Sequence, residues 1–409
     1  MAQLRDAVIV AYLRTAFSRS RPREPERDVF NNWRAEELGA TLAKEIVKRS
    51  GIKPEEISEV ITGSARAAGE QFTMGGRFTT FLADFPINVA AHFVDRQCGS
   101  SMTTIHTGAM GIMLGFNDIV VSVGIEHMTH LPMGQMAGSQ DERPVFGPNA
   151  GPNPKFYSDP KYKPIDMATT TNMGFTAEKL AKFAKISREE MDKFALRSHQ
   201  LASKAIKEGY FKGEIMPIEG RTPDGKPVMI EVDQAVRGDT TLEQLSSLKP
   251  AYSADGIITA GNASPLNAGA SATILMSREK AKEYGLKPLA SVISMGWAGV
   301  DPTMMGMGPV PAIRKALKAV NLQVKDIDVW ELNEAFSVVP LYAIKELGID
   351  INKVNLKGGA VAIGHPLGAS GNRLVGTLAR ILNMEGGTYG VASPCVGGGQ
   401  GVATVIKRE

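Results

Sequence analysis

What most constrains the fold of this chain is that it matches itself. Ile52-Lys-Pro-Glu-Glu-Ile-Ser-Glu-Val-Ile-Thr-Gly-Ser-Ala resembles Leu322-Gln-Val-Lys-Asp-Ile-Asp-Val-Trp-Glu-Leu-Asn-Glu-Ala, an offset of 322 − 52 = 270. The same offset sets Gly63 on Asn333, Asp95 on His365 and Cys98-Gly-Ser-Ser on Gly368-Ala-Ser-Gly. A helix-like stretch follows in each copy, near 102–114 and 373–382, and then a strand. A repeat of so long a period implies two similar halves packed about a pseudo-twofold axis, with corresponding loops able to converge on one site. Apolar runs such as Ile119–Val123, Val329–Leu332 and Tyr389–Ser393 alternate with helical stretches, the pattern of a mostly parallel sheet covered on both faces. Between Met128 and Lys249 the texture changes. Turn residues punctuate 134–164 and a lysine-rich stretch expected to be helical runs over 176–208, so this section reads as an inserted, loop-rich domain.

Composition narrows the functional classes. The 409 residues carry 46 basic and 43 acidic side chains, a net +3 that creates no field suited to nucleic acid. With 43% hydrophobic and 22% charged residues the chain is an ordinary globular one. No uninterrupted apolar run reaches the roughly 18–20 residues of a membrane helix. The opening run Asp6–Leu13 reads as a strand rather than a secretory signal, and Lys407-Arg408-Glu409 carries no organellar address, so a cytoplasmic protein is expected. Two cysteines exclude a disulfide framework and a cysteine-rich zinc site. Their chemistry depends on where they sit.

Cys98 lies in Val94-Asp-Arg-Gln-Cys-Gly-Ser-Ser-Met, where a strand gives way to a small-residue helix. A helix amino terminus favours the thiolate, the reactive form, although buried inert thiols are also common. Cys395 opens Cys395-Val-Gly-Gly-Gly, whose glycines allow close backbone approach and could present N–H groups to an oxyanion. His365, held between Gly364 and Pro366 ahead of a helix, suits a positioned general base. Asn333 follows the strand Val329–Leu332, where open α/β sheets build sites; it suits holding a water or oxyanion, or alternatively capping a helix. His92, His106, His127, His130 and His199 show no metal-ligand spacing and are expected to be structural, so no metal site is expected.

Together these blocks resemble the thiolase family, along essentially the whole chain. The resemblance rests on Arg96-Gln-Cys98-Gly-Ser, Asn333-Glu-Ala-Phe336, Gly364-His-Pro366 and Cys395-Val-Gly-Gly-Gly399, in that order. It implies an α/β fold of two duplicated βαβαβαββ halves in a five-layered α/β/α/β/α core with an inserted loop domain. The expected boundaries are 1–127 plus 265–286 for the first half, 128–264 for the loop domain and 287–409 for the second half. It also implies reversible, coenzyme A-dependent thiolytic cleavage of 3-ketoacyl-CoA. Cys98 would be the nucleophile, His365 the base and oxyanion partner, Cys395 the acid/base, Asn333 the water holder and Gly397 a backbone oxyanion donor. Asn172, Met173, Arg237, Ala260, Ser264, Leu266, Met305 and Phe336 fall in tracts similar to the family's coenzyme A contacts.

On the same resemblance, coenzyme A is a co-substrate and no cofactor is tightly bound. The partners implied are acyl-CoA, a second copy in a homodimer or homotetramer with 134–164 as the tetramerising loop, and other β-oxidation enzymes; neither nucleic acid nor membrane is among them. Asp95, Ser101 and Ala268 depart from the usual pattern without removing a catalytic group. Asn172 replaces a common His and tilts the reading toward a broad-chain 3-ketoacyl-CoA thiolase over an acetoacetyl-CoA thiolase working in the condensation direction. A catalytically inactive scaffold is a third reading. Lys179, Lys182, Lys185 and Arg188 could hold phosphates or form a solvated helix face.

Overall fold

The structure is a computed structural model that describes residues 4–132 and 153–409. Most of the segment 134–164, expected to be loop-rich, lies outside the described residues.

Strands β1 (Ala7–Thr15), β2 (Glu59–Gly63), β3 (Ala90–Val94) and β4 (Ile119–His127) alternate with helices α1 (Ala35–Arg49), α2 (Arg77–Leu82) and α3 (Ser100–Met113), and β5 (Ala268–Ser277) closes the first half after a long insertion. The second half repeats the plan: β6 (Ala290–Gly299), α6 (Pro309–Ala319), β7 (Val329–Leu332), α7 (Val338–Leu347), α8 (Ser370–Glu385), β8 (Tyr389–Ser393) and β9 (Gln400–Arg408). Within the insertion stand α4 (Met173–Ala184) and α5 (Arg188–Lys207).

In the strand order β7-β8-β9-β6-β1-β5-β4-β2-β3, the sequence inward from β7 mirrors the sequence inward from β2, and β3 is an additional edge strand. β2 runs parallel to β3 and β4, while β5 is antiparallel to β4 and β1; in the second half β7 is parallel to β8 and β9 is antiparallel to β8 and β6. At the seam β1 and β6 share only the register Val8↔Ser291 and Ile9↔Ala290. Helices α3 and α8 lie between the two groups of strands and pack on both, α1 covers the outer face of the first group and α6 that of the second. The result is five layers, α/β/α/β/α.

The 270-residue offset holds for the turns and helices at the centre. The 3-10 turn Gln97–Gly99 leads into Ser100 of α3, as the turn Leu367–Ala369 leads into Ser370 of α8. It breaks at the third strand: β3 would map onto 360–364, where Ala360–Ile363 is helical, and the second half keeps only a parallel bridge between Trp330 and Val354.

A central strand buried on both faces must be apolar along its whole length, and all nine residues of β4 are buried. The middle helices must instead be slim. Ser100, Ser101, Gly108 and Ala109 of α3 are buried, and a Cβ on Gly371 of α8 would lie 2.0 Å from the Met102 nitrogen. The lysine-rich stretch expected over 176–208 is two helices rather than one. Lys185 ends α4 in a left-handed conformation with φ 52°, and the Ser187 side chain accepts from the Glu190 N–H to cap α5. The insertion is tied to β1 by a fully buried cluster in which Arg14 Nε meets Glu214 Oε1 at 2.8 Å and Arg14 Nη1 meets Asp233 Oδ1 at 2.7 Å.

Gly371→Val therefore overpacks the contact between the two middle helices. The expected loss is about 3 kcal/mol or more, read as a lower denaturation midpoint in urea.

Candidate active site

The turn that carries Cys98 is held in an uncommon shape. Gln97 is left-handed, φ 45°, a conformation that non-glycine residues rarely adopt. Its backbone N–H donates to Asp95 Oδ1 at 2.9 Å and its side-chain Nε2 to the Ala65 carbonyl at 3.0 Å, so the neighbouring loops fix it. Cys98 is thereby turned inward and is only 8% exposed. The backbone N–H of Gly397 acts on its thiol in favour of the thiolate. Gly397 follows the two-residue strand Cys395–Val396, which pairs with the start of β9 and packs against the Cys98 turn; the Cys395 thiol is close enough to feel the charge of Cys98.

The other side of the site comes from the loop ahead of α8. Gly364 takes φ 109°, and a Cβ there would strike the Asn267 side chain, so glycine lets the chain turn tightly against Asn267. Asn267 Oδ1 in turn accepts the His365 backbone N–H at 2.7 Å. The His365 ring is bracketed: Nδ1 lies 2.6 Å from Ser370 Oγ, and Nε2 lies 3.2 Å from Asn333 Nδ2. Ser370 Oγ also donates to the Pro366 carbonyl, so it accepts from His365, which places the imidazole proton on Nδ1 and the lone pair on Nε2. Asn333 is fixed by its backbone N–H to the Ser393 carbonyl at 3.0 Å, and its Oδ1 is buried without a hydrogen-bond partner in the protein. It does not cap α7, whose N-cap residue is Ser337.

Dryness governs the electrostatics. Burial, reinforced by the carboxylate of Glu126 and opposed by the Gly397 N–H, pushes the Cys98 thiol up to about 12. The helix-terminus stabilisation of the thiolate expected from sequence is therefore overridden by desolvation. Burial likewise pushes Cys395 well up. His365 is pushed down to about 3, by burial first and then by the Arg373 charge. These shifts favour two thiols and a neutral imidazole.

A second recess, a cleft of about 410 Å³, is lined by Arg237 and Ala260 together with Arg19, His199, Gln244 and Leu248. Burial lowers the Arg19 pKa first, and the charges of Arg21, Arg237 and Arg27 lower it further, the signature of crowded cations. The segment 260–266 is stitched to the Asn333 loop by a bridge between Ala263 and Phe336 and by the Ser264 N–H to the Ala335 carbonyl at 3.0 Å. Phe336 meets Tyr252 edge-on at 6.0 Å, Met305 is buried and Leu266 is exposed. Met173 packs half-buried on the second core cluster. The Asn172 side chain is occupied in capping α4, accepting from the N–H groups of Gly174 and Phe175.

The lysines of α4 do not join this cleft. Lys179, Lys182 and Lys185 line a separate groove of about 690 Å³ with Asp255, and Arg188 is occupied by Asp192 and by the Leu245 and Leu248 carbonyls.

Three groups escaped sequence reasoning. Arg19 and Glu126 lie outside the motifs, although Glu126 is an acid at the end of an apolar strand, the position where α/β sites form. His127 and His130, with Glu70, do gather their ligand atoms within 4.8 Å. Their rings are stacked 3.7 Å apart and 5° from parallel, so their in-plane lone pairs cannot converge on one ion. Both Nε2 atoms contact backbone carbonyls, and His130 Nδ1 pairs with Glu70 at 3.0 Å.

Family models for the thiolase N-terminal domain and the thiolase C-terminal domain match residues 7–279 and 286–408. The chain belongs to the thiolase family. It is 43% identical to a 3-ketoacyl-CoA thiolase of Hahella chejuensis, over 99% of this chain and 98% of that one. Among solved structures it resembles the acetyl-CoA acetyltransferase of Bacillus anthracis, with TM-score 0.85 and 38% identity over 100% of both chains. It also resembles the human mitochondrial 3-ketoacyl-CoA thiolase in complex with CoA, with TM-score 0.85 and 35% identity over 100% of this chain and 99% of that one.

The imidazoles of His365, buried, and His130, half-buried, predict opposite titrations. In protein with 13C-labelled histidine, the His365 resonance is expected to stay at its neutral position between about pH 5 and 8. Burial lowers the His130 pKa, but Glu70, by hydrogen bond and charge, more than offsets it. Its resonance should therefore titrate above the ordinary imidazole value.

Proposed function

We propose that the protein is an acyltransferase that cleaves 3-ketoacyl-CoA with coenzyme A to give acetyl-CoA and a shortened acyl-CoA, reversibly, through an acyl group on Cys98. The observation that carries this reading is that two buried thiols lie close enough to interact and that a buried histidine keeps its Nε2 lone pair by placing its proton on Nδ1. His365 takes the Cys98 proton and the thiolate adds to the keto carbon. The bond between that carbon and the α-carbon then breaks, leaving the enolate of acetyl-CoA, to which Cys395 gives its proton. The thiol of the incoming coenzyme A returns a proton to Cys395, its sulfur takes the acyl group, and Cys98 recovers its proton from His365. The oxyanion of acyl transfer is received by the backbone N–H groups of Cys98 and Gly397, and the enolate oxygen by protonated His365 and a water on Asn333, whose Oδ1 lacks a protein partner. Because both thiols and the imidazole start neutral, charge is created only as bonds change.

Coenzyme A lies with its phosphates at Arg19 and Arg237 and its pantetheine arm passing Met173, Ala260, Ser264, Leu266, Met305 and Phe336. Asn172 orients this wall through its cap. In this reading 1–127 with 265–286 and 287–409 are the two thiolase halves, and 128–264 is the loop domain that receives coenzyme A. The range of 3-ketoacyl chains accepted is broad, in β-oxidation in the cytoplasm and in association with other enzymes of that route. No helix among the described residues is long and apolar enough to cross a membrane. The active form is a homodimer or homotetramer. Among the described residues the outer edge of β3 has no partner strand, and Phe72, Met74, Phe78, Phe81 and Leu82 are exposed close to it in the chain, which is the kind of edge that a second copy covers.

Mass spectrometry after brief exposure to acetyl-CoA should find an acetyl group on the Cys98 peptide; active protein without that adduct would overturn the assignment. Cys395→Ala should keep this acetylation yet lose thiolysis by about 10²–10⁴-fold. Arg19→Ala removes a charge-assisted contact and should raise KM for coenzyme A about tenfold with kcat little changed; an equal loss against dephospho-CoA would place Arg19 elsewhere on the ligand.

A further inference from the structure

Glu126, the penultimate residue of β4, is wholly buried, and both of its oxygens receive donors. Oε2 accepts the backbone N–H of Ala65 at 2.9 Å and that of Gly368 at 2.8 Å. Oε1 accepts from the Gln71 side-chain amide, whose orientation is set because its own oxygen accepts the His127 N–H at 2.6 Å. Ser64 Oγ, 3.4 Å from Oε1, already accepts from Gln71 Nε2 and the Arg66 N–H, which leaves it a hydrogen to donate. Burial raises the Glu126 pKa, and this set of donors, the Ala65 and Gly368 amides first, works against it by favouring the carboxylate.

The two amides on Oε2 come from different halves of the duplicated fold. Ala65 follows β2 and its carbonyl holds Gln97, the residue before Cys98, whereas Gly368 sits in the turn that follows His365. One oxygen thus joins the loop that aims the thiol to the loop that aims the imidazole. The ionisable groups facing Cys98 are Asp95 from its own loop, Glu126 from β4 and Cys395 from the adjoining strand; Arg66 also faces Glu126, and His365 enters through the loop leading into the packed turn 367–369.

We propose that Glu126 is a positioning residue for acyl transfer: its carboxylate clamps the Ala65 and Gly368 amides together, so that the loop aiming the Cys98 thiol and the loop aiming the His365 imidazole keep one spacing. This rests on Cys98 being the nucleophile.

The test measures kcat and KM for coenzyme A in the full-length protein and follows its alkylation by iodoacetamide, with the modified peptide identified by mass spectrometry. Glu126→Gln sets an NH2 group against donors that an acceptor oxygen now satisfies, and should lower kcat about tenfold while leaving KM for coenzyme A unchanged. If Glu126→Gln does not fold, Gln71→Met withdraws one donor from the same carboxylate and should move kcat in the same direction by less. Cys98 labelling with an unchanged kcat in the variant that folds overturns the role of Glu126 alone, whereas active protein never labelled on Cys98 overturns the reading of the nucleophile.

Discussion

The structure depends on how closely α3 and α8 approach each other between the two groups of strands. At Gly371 the approach leaves no room for a side chain over the Met102 backbone. Small residues on both helices permit it, and the helices' amino-terminal turns, 97–99 and 367–369, pack against each other as a result. Those turns carry or adjoin Cys98 and His365. The two-residue register between β1 and β6 would be a poor way to hold two halves in fixed relation. The buried helical layer does so, and the distance between nucleophile and base is inherited from helix packing, which tolerates little variation.

Burial that stiffens the site also sets its charge. A thiol and an imidazole in water would exchange a proton at little cost, but here desolvation raises one and lowers the other, so the ion pair is disfavoured. Two groups that would offset that cost are fixed in advance: the Gly397 N–H, which favours the thiolate, and Ser370 Oγ, which accepts from Nδ1 and so favours a protonated ring. Groups held in place before charge develops need no reorganisation when it appears, which is why such an arrangement is effective.

Much of this was legible before the fold was seen. The offset between Ile52 and Leu322 reports the duplication because both copies keep the same turn and strand, and the sheet order mirrors it. His365 and Asn333 stood out because a Gly-His-Pro loop and an Asn at a strand end have few other uses. Less visible were effects that exist only in three dimensions. The helix terminus at Cys98 argued for an easily ionised thiol, but burial depends on what packs over it, and Val396 and Val402 approach Gly99 from the far end of the chain. The lysines of α4 looked like phosphate ligands by charge, yet the break at Lys185 and the course of the following helix carry them to another groove. Arg19 joined the cleft with no motif to announce it. Glu126 hid because a buried carboxylate's partners here are backbone amides, which leave no trace in side-chain pattern.

Duplication supplied two of every loop, and only one of each pair was put to chemical use. His365 has Asp95 as its counterpart, Asn333 has Gly63, and Cys98 has Gly368. At Cys395 the counterpart is 395 − 270, the apolar Ile125, with Glu126 standing where the second copy has Val396. One pocket therefore draws a thiol from one copy of the repeat and an imidazole from the other, and neither half by itself contains the complete set of parts.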